Sequence, residues 1–465
     1  MKIQFFGAAR TVTGSKHLIT TNKGTQILLD CGLFQGIHTD DINQNFGFDP
    51  RQIDYVLLSH AHIDHTGLLP RLVRQGFSGP IYATPATRDL CEIMLSDSAF
   101  IQQKDLERVN KRRKDKNQTE LELLYDAADV AATLELFRTA DYQKTFYLNQ
   151  NEVAVTFTDT AHLLGSAAIN LEINEGDTTK KLTFTGDIGR PNDKILRMFD
   201  VFPQADFIIC ESTYGNRLHE PEADMKAHLL RIVRETCVEQ RGKVLIPAFA
   251  VDRTQELIYA LDQLSSEGLL PVIKVFIDSP LSVKATQIMK KHEECFNPDI
   301  LDYIERDGDA FAFPNLQYVS SVDDSKKINA SNEPCIVISS SGMAEAGRIK
   351  HHIFNNIEKE NTTILLVGYC SPSSLGGALK RGDKEVFIFG QKRVVKARVE
   401  VMDSFSAHGD YQEMIQFLGC QNPALVQKLF LVHGEYENQL AFKTRLEEVG
   451  FGHVEIPEPG QVFEM

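Results

Sequence analysis

The stretch most able to do chemistry is Ser59–Gly67, SHAHIDHTG, where His60, His62, Asp64 and His65 follow the apolar run YVLL. The chain holds 14 His in 465 residues, so three His at fixed positions recur by chance roughly 0.01 times. In an extended segment His60 and His62 point the same way and can share one ion, while the turn that follows lets Asp64 and His65 serve another. Two metals are implied. Imidazole with carboxylate suits zinc, and geometry and metal supply also admit manganese or iron. Such a centre needs more donors from distant segments. His162 in DTAHLLGSAA and Asp187 in LTFTGDIGR both end strand-like runs before Gly-rich turns, where a ligand is exposed and rigidly held. The two oxygens of Asp187 are suited to bridge two ions.

The elements that must position these groups follow from hydrophobic periodicity. KIQFFG, SKHLITT, TQILLDCG and YVLLSH read as short strands, several ending in Gly, Asp or His. From Pro85 to about Tyr142 the spacing becomes helical, with a dense charge run, KDLERVNKRRKDKNQTE, read as a solvated helix face, with contact to a polyanion as the alternative. Strands return with EVAVTFTDTAH, AAINLEI, KKLTFTGD and DFIICES. From about Arg217, helices alternate with near-continuous Val, Ile and Leu strands, the pattern of a parallel sheet covered by helices. After Gly382 strands resume, and the chain closes with helix, strand and helix. The middle block is therefore inserted. The expected division is 1–210 and 384–465 for one domain and 211–383 for the insert.

Composition narrows the function classes. The chain is 42% apolar and 24% charged, enough to bury a large core. A net charge of −15 argues against a surface that clings everywhere to nucleic acid or anionic lipid, while leaving room for a local basic groove. No signal-peptide pattern opens the sequence and no apolar run nears the roughly 18 residues of a membrane span, so a cytoplasmic location is expected. Eight Cys without a CxxC pair read as reduced, packed thiols.

LLDCG around Asp30, HAHIDH, His162 and Asp187 resemble, in order, the motifs of the metallo-β-lactamase superfamily. CESTYGNR at Glu211 and FSAHGDY at His408 narrow the resemblance to its β-CASP nucleases, which include the endonuclease of the eukaryotic cleavage and polyadenylation machinery. The fold implied is an α/β metallo-β-lactamase αββα sandwich with an inserted β-CASP α/β domain. Carried over, the resemblance implies that His60, His62, His162 and Asp187 hold one zinc, and Asp64, His65, Asp187 and His408 the other. Asp30 would orient ligands by hydrogen bonding, and His433 in LVHGEYEN would be a supporting residue. Asp64, Asp187, Glu211 and His408 are the catalytic candidates. Read as motif C, His408 implies RNA as substrate. The family's motif B His is missing: positions 353–407 contain no His, and alignment puts Ala378 or Phe389 there. His351 and His352 read as surface or packing residues.

The chemistry implied is hydrolysis of RNA phosphodiesters by zinc-bound hydroxide, since zinc lowers the pKa of bound water to about 7. For gripping the substrate the candidates are Ser340, Ser341 and Gly342 in SSSGMAEAGR, at an expected helix start, together with Arg253 and Tyr214. An ordinary helix cap, a structural ion pair and simple packing are the respective alternatives. The rival functions are a DNA-processing or small-molecule ester hydrolase of the same superfamily and a non-catalytic scaffold. An iron-dependent oxidoreductase lacks its expected Glu and flavin domain. RNA is the expected partner, without a membrane, and homo-oligomerisation is left open.

Overall fold

The structure, a computed structural model, describes residues 1–36, 39–219, 225–368, 370–402 and 407–465. Backbone contacts divide the chain into two units, Met1–Leu218 with Ala407–Met465, and His219–Ser406. The strand Arg398–Val401 pairs in parallel with Thr362–Leu366, which puts it in the inserted unit although the sequence reading returned the chain to the first domain at 384.

The first unit is built on two seven-stranded sheets. In one, Lys2–Gly7, Lys16–Thr20 and Gln26–Leu29 form an antiparallel meander, and Tyr55–Leu57, Ile81–Ala83 and Phe137–Thr139 continue it in parallel. In the other, Phe146–Leu148, Val153–Asp159, Ala167–Asn174 and Thr179–Phe184 run antiparallel, then Phe207–Glu211 and Lys428–Val432 add in parallel. Alternating side chains of both sheets, among them Ile3, Phe5, Ile27, Leu57, Val155, Phe157, Ile169, Phe184 and Phe430, form one buried cluster, the core that period-2 patterning predicts. Chain ends meet in the first sheet, where Val462–Glu464 pairs with Lys2–Gly7.

The second unit carries a six-stranded, wholly parallel sheet in the order Leu316–Tyr318, Lys274–Ile277, Cys335–Ser339, Lys243–Pro247, Thr362–Leu366 and Arg398–Val401. Its central strands are buried throughout, as near-continuous apolar runs require. The region expected to be helical from Pro85 is a 31-residue helix, Pro85–Asp115, followed by a nine-residue one, Ala127–Glu135. Among the described residues no helix is long and apolar enough to cross a membrane. Seven of the eight cysteines are buried.

Phe157 is fully buried and meets Phe146 edge-on, ring centroids 5.6 Å apart. Phe157→Ala is expected to destabilise the first unit by about 3–5 kcal/mol, read as a lower urea midpoint for loss of its near-ultraviolet signal.

Candidate metal centre

Every side chain of the centre leaves the C-terminal end of a strand or the turn after it. His60, His62, Asp64 and His65 follow Tyr55–Leu57, His162 follows Val153–Asp159, Asp187 follows Thr179–Phe184, and His433 follows Lys428–Val432. The turns are held against their neighbours by backbone bonds. The carbonyls of Ile63, Asp64 and His65 accept from the N–H groups of Leu33 (3.0 Å), Ser15 (2.8 Å) and Cys31 (2.7 Å). Gly32 is required there, because a Cβ would stand 1.6 Å from the Asp64 carbonyl oxygen. Asp30, Ala161 and His433 all adopt left-handed backbone (φ 58°, 56° and 52°), a strain that non-glycine residues carry mostly at functional sites.

The donor atoms fall into two sets that share one carboxylate. In the first, His60 Nε2 and His162 Nε2 lie 3.5 and 3.4 Å from Asp187 Oδ2, and His62 Nδ1 lies 3.0 and 3.3 Å from those same nitrogens. In the second, His65 Nε2 and His433 Nε2 lie 3.3 and 3.6 Å from Asp187 Oδ1, and His433 Nε2 is 3.4 Å from Asp64 Oδ2. Donors each about 2.0–2.1 Å from a tetrahedral zinc stand about 3.3–3.4 Å apart. The separations of 3.0–3.6 Å within the two sets bracket that spacing. His65 Nε2 and Asp187 Oδ1 are buried without a hydrogen-bond partner among the described residues, which is costly unless something else binds them. The residues therefore fit a pair of metal ions.

The far nitrogen of four imidazoles is tied down, which fixes tautomer and ring orientation. His65 Nδ1 bonds Asp30 Oδ2 at 2.6 Å, His60 Nδ1 bonds Ser59 Oγ at 3.0 Å, His433 Nδ1 bonds Thr213 Oγ1 at 3.0 Å, and His162 Nδ1 faces the Ala407 carbonyl at 3.3 Å. Asp30 in turn accepts from the Ser59 N–H and hydroxyl, each at 2.8 Å, so its expected role in orienting ligands has a concrete geometry. Burial, with neighbouring imidazoles, pushes His60 and His162 well below the usual histidine range and His62 to about 4, leaving them neutral and able to donate lone pairs. Burial opposes ionisation of Asp187 too, but His433, His65 and His60 outweigh it and hold the carboxyl well below its usual range.

This geometry revises one assignment. The sequence reading gave His408 to the second ion and kept His433 outside, whereas His433 closes the set with Asp64 and His65. His408 instead points Nδ1 at Glu211 Oε1, 3.1 Å away, and stands 3.9 Å from Asp187 Oδ2 on the first set's side. Glu211 is fully buried and also accepts from the N–H groups of Ile188 (2.6 Å) and Thr213 (3.3 Å). Burial would lower the His408 pKa, but the Glu211 carboxylate and its hydrogen bond raise it to about 10. The signal for His433 was in the sequence: it ends an apolar strand and precedes Gly, as Asp187 ends a strand before a Gly-rich turn. Of the FSAHGDY motif, residues 405 and 406 lie outside the described residues.

The residues expected to grip substrate are mostly engaged elsewhere. Tyr214 is buried, edge-on to His408 at 5.8 Å, with the Arg217 guanidinium 3.9 Å over its ring, so its face is taken. Arg253, in the second unit, is 5% exposed and paired with Glu256 and Asp252. Helix Gly347–Asn356 begins five residues beyond Gly342, so Ser340, Ser341 and Gly342 form a loop rather than a helix start. In it the Ser341 N–H donates to the Ala346 carbonyl, Ser340 Oγ meets Ser279 Oγ at 2.9 Å, and the Phe249 ring fills the space beside Gly342. At the two positions weighed for motif B, Ala378 is half-buried and the Phe389 ring lies tilted against His351, centroids 4.6 Å apart. His352 is buried against Asp278 at 2.6 Å.

A two-sheet sandwich with His and Asp donors gathered at its strand ends defines a metallo-hydrolase of the metallo-β-lactamase fold. Three family models agree: one described as metallo-beta-lactamase superfamily matches residues 14–130, a Beta-Casp domain matches 254–379, and a Zn-dependent metallo-hydrolase RNA specificity domain matches 393–457. The chain is 34% identical to ribonuclease TTHA0252 of Thermus thermophilus over 95% of both chains. It is 30% identical to transcription termination factor FttA of Methanosarcina mazei, over 94% of this chain and 67% of that one. With cleavage and polyadenylation specificity factor 73 of Drosophila melanogaster it shares 29%, over 96% of this chain and 62% of that one. The chain belongs to the β-CASP family of RNA-processing metallo-nucleases.

Asp30→Asn keeps the shape but weakens the acceptor for His65 Nδ1. It is expected to lower metal affinity by about 10–100-fold, measured by competition with a chromogenic chelator, with the urea midpoint of the metal-free protein moving far less.

Proposed function

We propose that this chain is a ribonuclease that hydrolyses RNA phosphodiester bonds at a centre of two zinc ions. The observation that carries the reading is Asp187, whose two oxygens each face a separate set of histidines at metal-ligand spacing. His60, His62, His162 and Asp187 would hold one ion, and Asp64, His65, His433 and Asp187 the other. The pair would supply positive charge for the attacked phosphoryl group and make hydroxide available at neutral pH.

The chain's own part lies in orientation and proton delivery. His408 exposes 20% of its side chain, whereas His60, His65, His162 and His433 expose 3% or less. With Nδ1 on Glu211 and its ring beside the donor sets, His408 is placed to deliver a proton toward the departing oxygen, as a general acid does. Glu211 keeps His408 protonated across neutral pH and fixes its ring. Tyr214 packs against that ring and limits its rotation. His408 thereby takes the role that the sequence search sought at Ala378 or Phe389.

Asp187→Ala is expected to abolish cleavage of end-labelled RNA and to lower bound zinc measured by mass spectrometry, because one side chain serves both sets. Full activity with two zincs retained would overturn the assignment. Glu211→Gln removes the charge that raises the His408 pKa, so the alkaline limb of the rate profile should move to lower pH by about 1–3 pH units. An unshifted limb would exclude His408 as the acid.

A further inference from the structure

Helix Pro85–Asp115 starts beside the centre. It packs on the short helix Ile63–Thr66, which carries Asp64 and His65, and the Thr84 and Thr87 hydroxyls bond the Gly165 carbonyl, three residues past His162. Its first half is buried on one face through Leu90, Cys91, Leu95 and Ala99. Beyond Ala99 the returning segment covers that side only: Asn110 brackets Leu121 with two hydrogen bonds, and Arg113 Nε donates to the Thr119 carbonyl at 2.6 Å.

The opposite side is open and basic. Residues 104–116 hold seven Lys or Arg against three Asp or Glu, in a chain whose net charge is −15. Lys111, Arg112, Lys114 and Lys116 are exposed and make no ion pair among the described residues. Phe100 is 59% exposed on the side that also carries Lys104 and Lys111, with the Lys104 ammonium 6.0 Å from its ring. An exposed aromatic followed by cations along one helix face is the arrangement that stacks a base and follows a phosphate backbone.

We propose that this arm is an outlying binding site for single-stranded RNA, occupied by the same molecule that is cut at the centre; the inference rests on the ribonuclease reading above. At about 1.5 Å per residue, Lys111 stands about 39 Å along the helix from Pro85. Stacked nucleotides advance about 3.4 Å each, so an RNA must extend about a dozen nucleotides to reach from one place to the other. The arm therefore acts on long substrates and is invisible to short ones.

The test is the triple variant Lys111→Glu, Arg112→Glu, Lys114→Glu in the full-length, zinc-loaded protein, with Phe100→Ala beside it. For a single-stranded RNA of about 20 nucleotides, kcat/KM at low salt should fall about tenfold or more. The slope of log affinity against log salt should flatten by about 2, as loss of three phosphate contacts on a single strand requires. A pentanucleotide and bis(p-nitrophenyl) phosphate should be cut at the unchanged rate. Equal losses on long and short substrates, or an unchanged slope, overturn the proposal. So does a variant that changes only the sedimentation of the protein, which would make the arm a contact between copies, or only its binding to anionic vesicles. Fluorescence anisotropy of the labelled RNA on Asp187→Asn protein, with and without the triple change, reads the arm without cleavage. If the wild type cuts no RNA yet binding still depends on the arm, the ribonuclease reading fails and the binding site stands.

Discussion

The arrangement turns on one constraint: a carboxylate and four imidazoles are buried together, with His62 half-buried beside them, and each needs a partner. Asp187 is 2% exposed and faces His60 and His162 with one oxygen and His65 and His433 with the other. Isolated, such a cluster is expensive, since each buried polar group without a partner costs on the order of 1–3 kcal/mol. Metal ions bound there would satisfy it. The surrounding fold is organised to hold the cost until they bind, through the Asp30–Ser59 brace, the close approach at Gly32 and the three left-handed residues at strand ends.

A second charge arrangement sits beside the first and works the opposite way. Burial holds His60, His62 and His162 below the usual histidine range, whereas the Glu211 carboxylate raises the pKa of His408, only a ring away from His162. His408 has the Glu211 carboxylate at its Nδ1, whereas His60 and His433 have hydroxyls there and His162 a carbonyl. Divergent environments for like groups are how a site separates binding from proton transfer.

Much of this was legible in the sequence. HAHIDH, His162 and Asp187 carry their meaning in residue type and strand-end position; period-2 alternation marked strands of the first unit, and near-continuous apolar strands between helices marked the inserted parallel sheet. The division of labour between His408 and His433 was not legible, because it depends on which strand end stands opposite Asp187 Oδ1 and which opposite Glu211. Those are tertiary facts: Lys428–Val432 lies next to Phe207–Glu211, which sets His433 and Glu211 at neighbouring strand ends. That Arg253 and the 340–342 loop are engaged within the fold was hidden for a related reason. Motif spacing does not reveal that an Arg is enclosed by two acids or that a helix starts five residues late.

The sheet that supplies Asp187 is closed by a strand from the far end of the polypeptide, after an insert of nearly two hundred residues. During synthesis the donors at 60–65, 162 and 187 leave the ribosome long before His433 does. A growing chain therefore presents at most one complete donor set, because His433 reaches its place only when Lys428–Val432 pairs beside Phe207–Glu211.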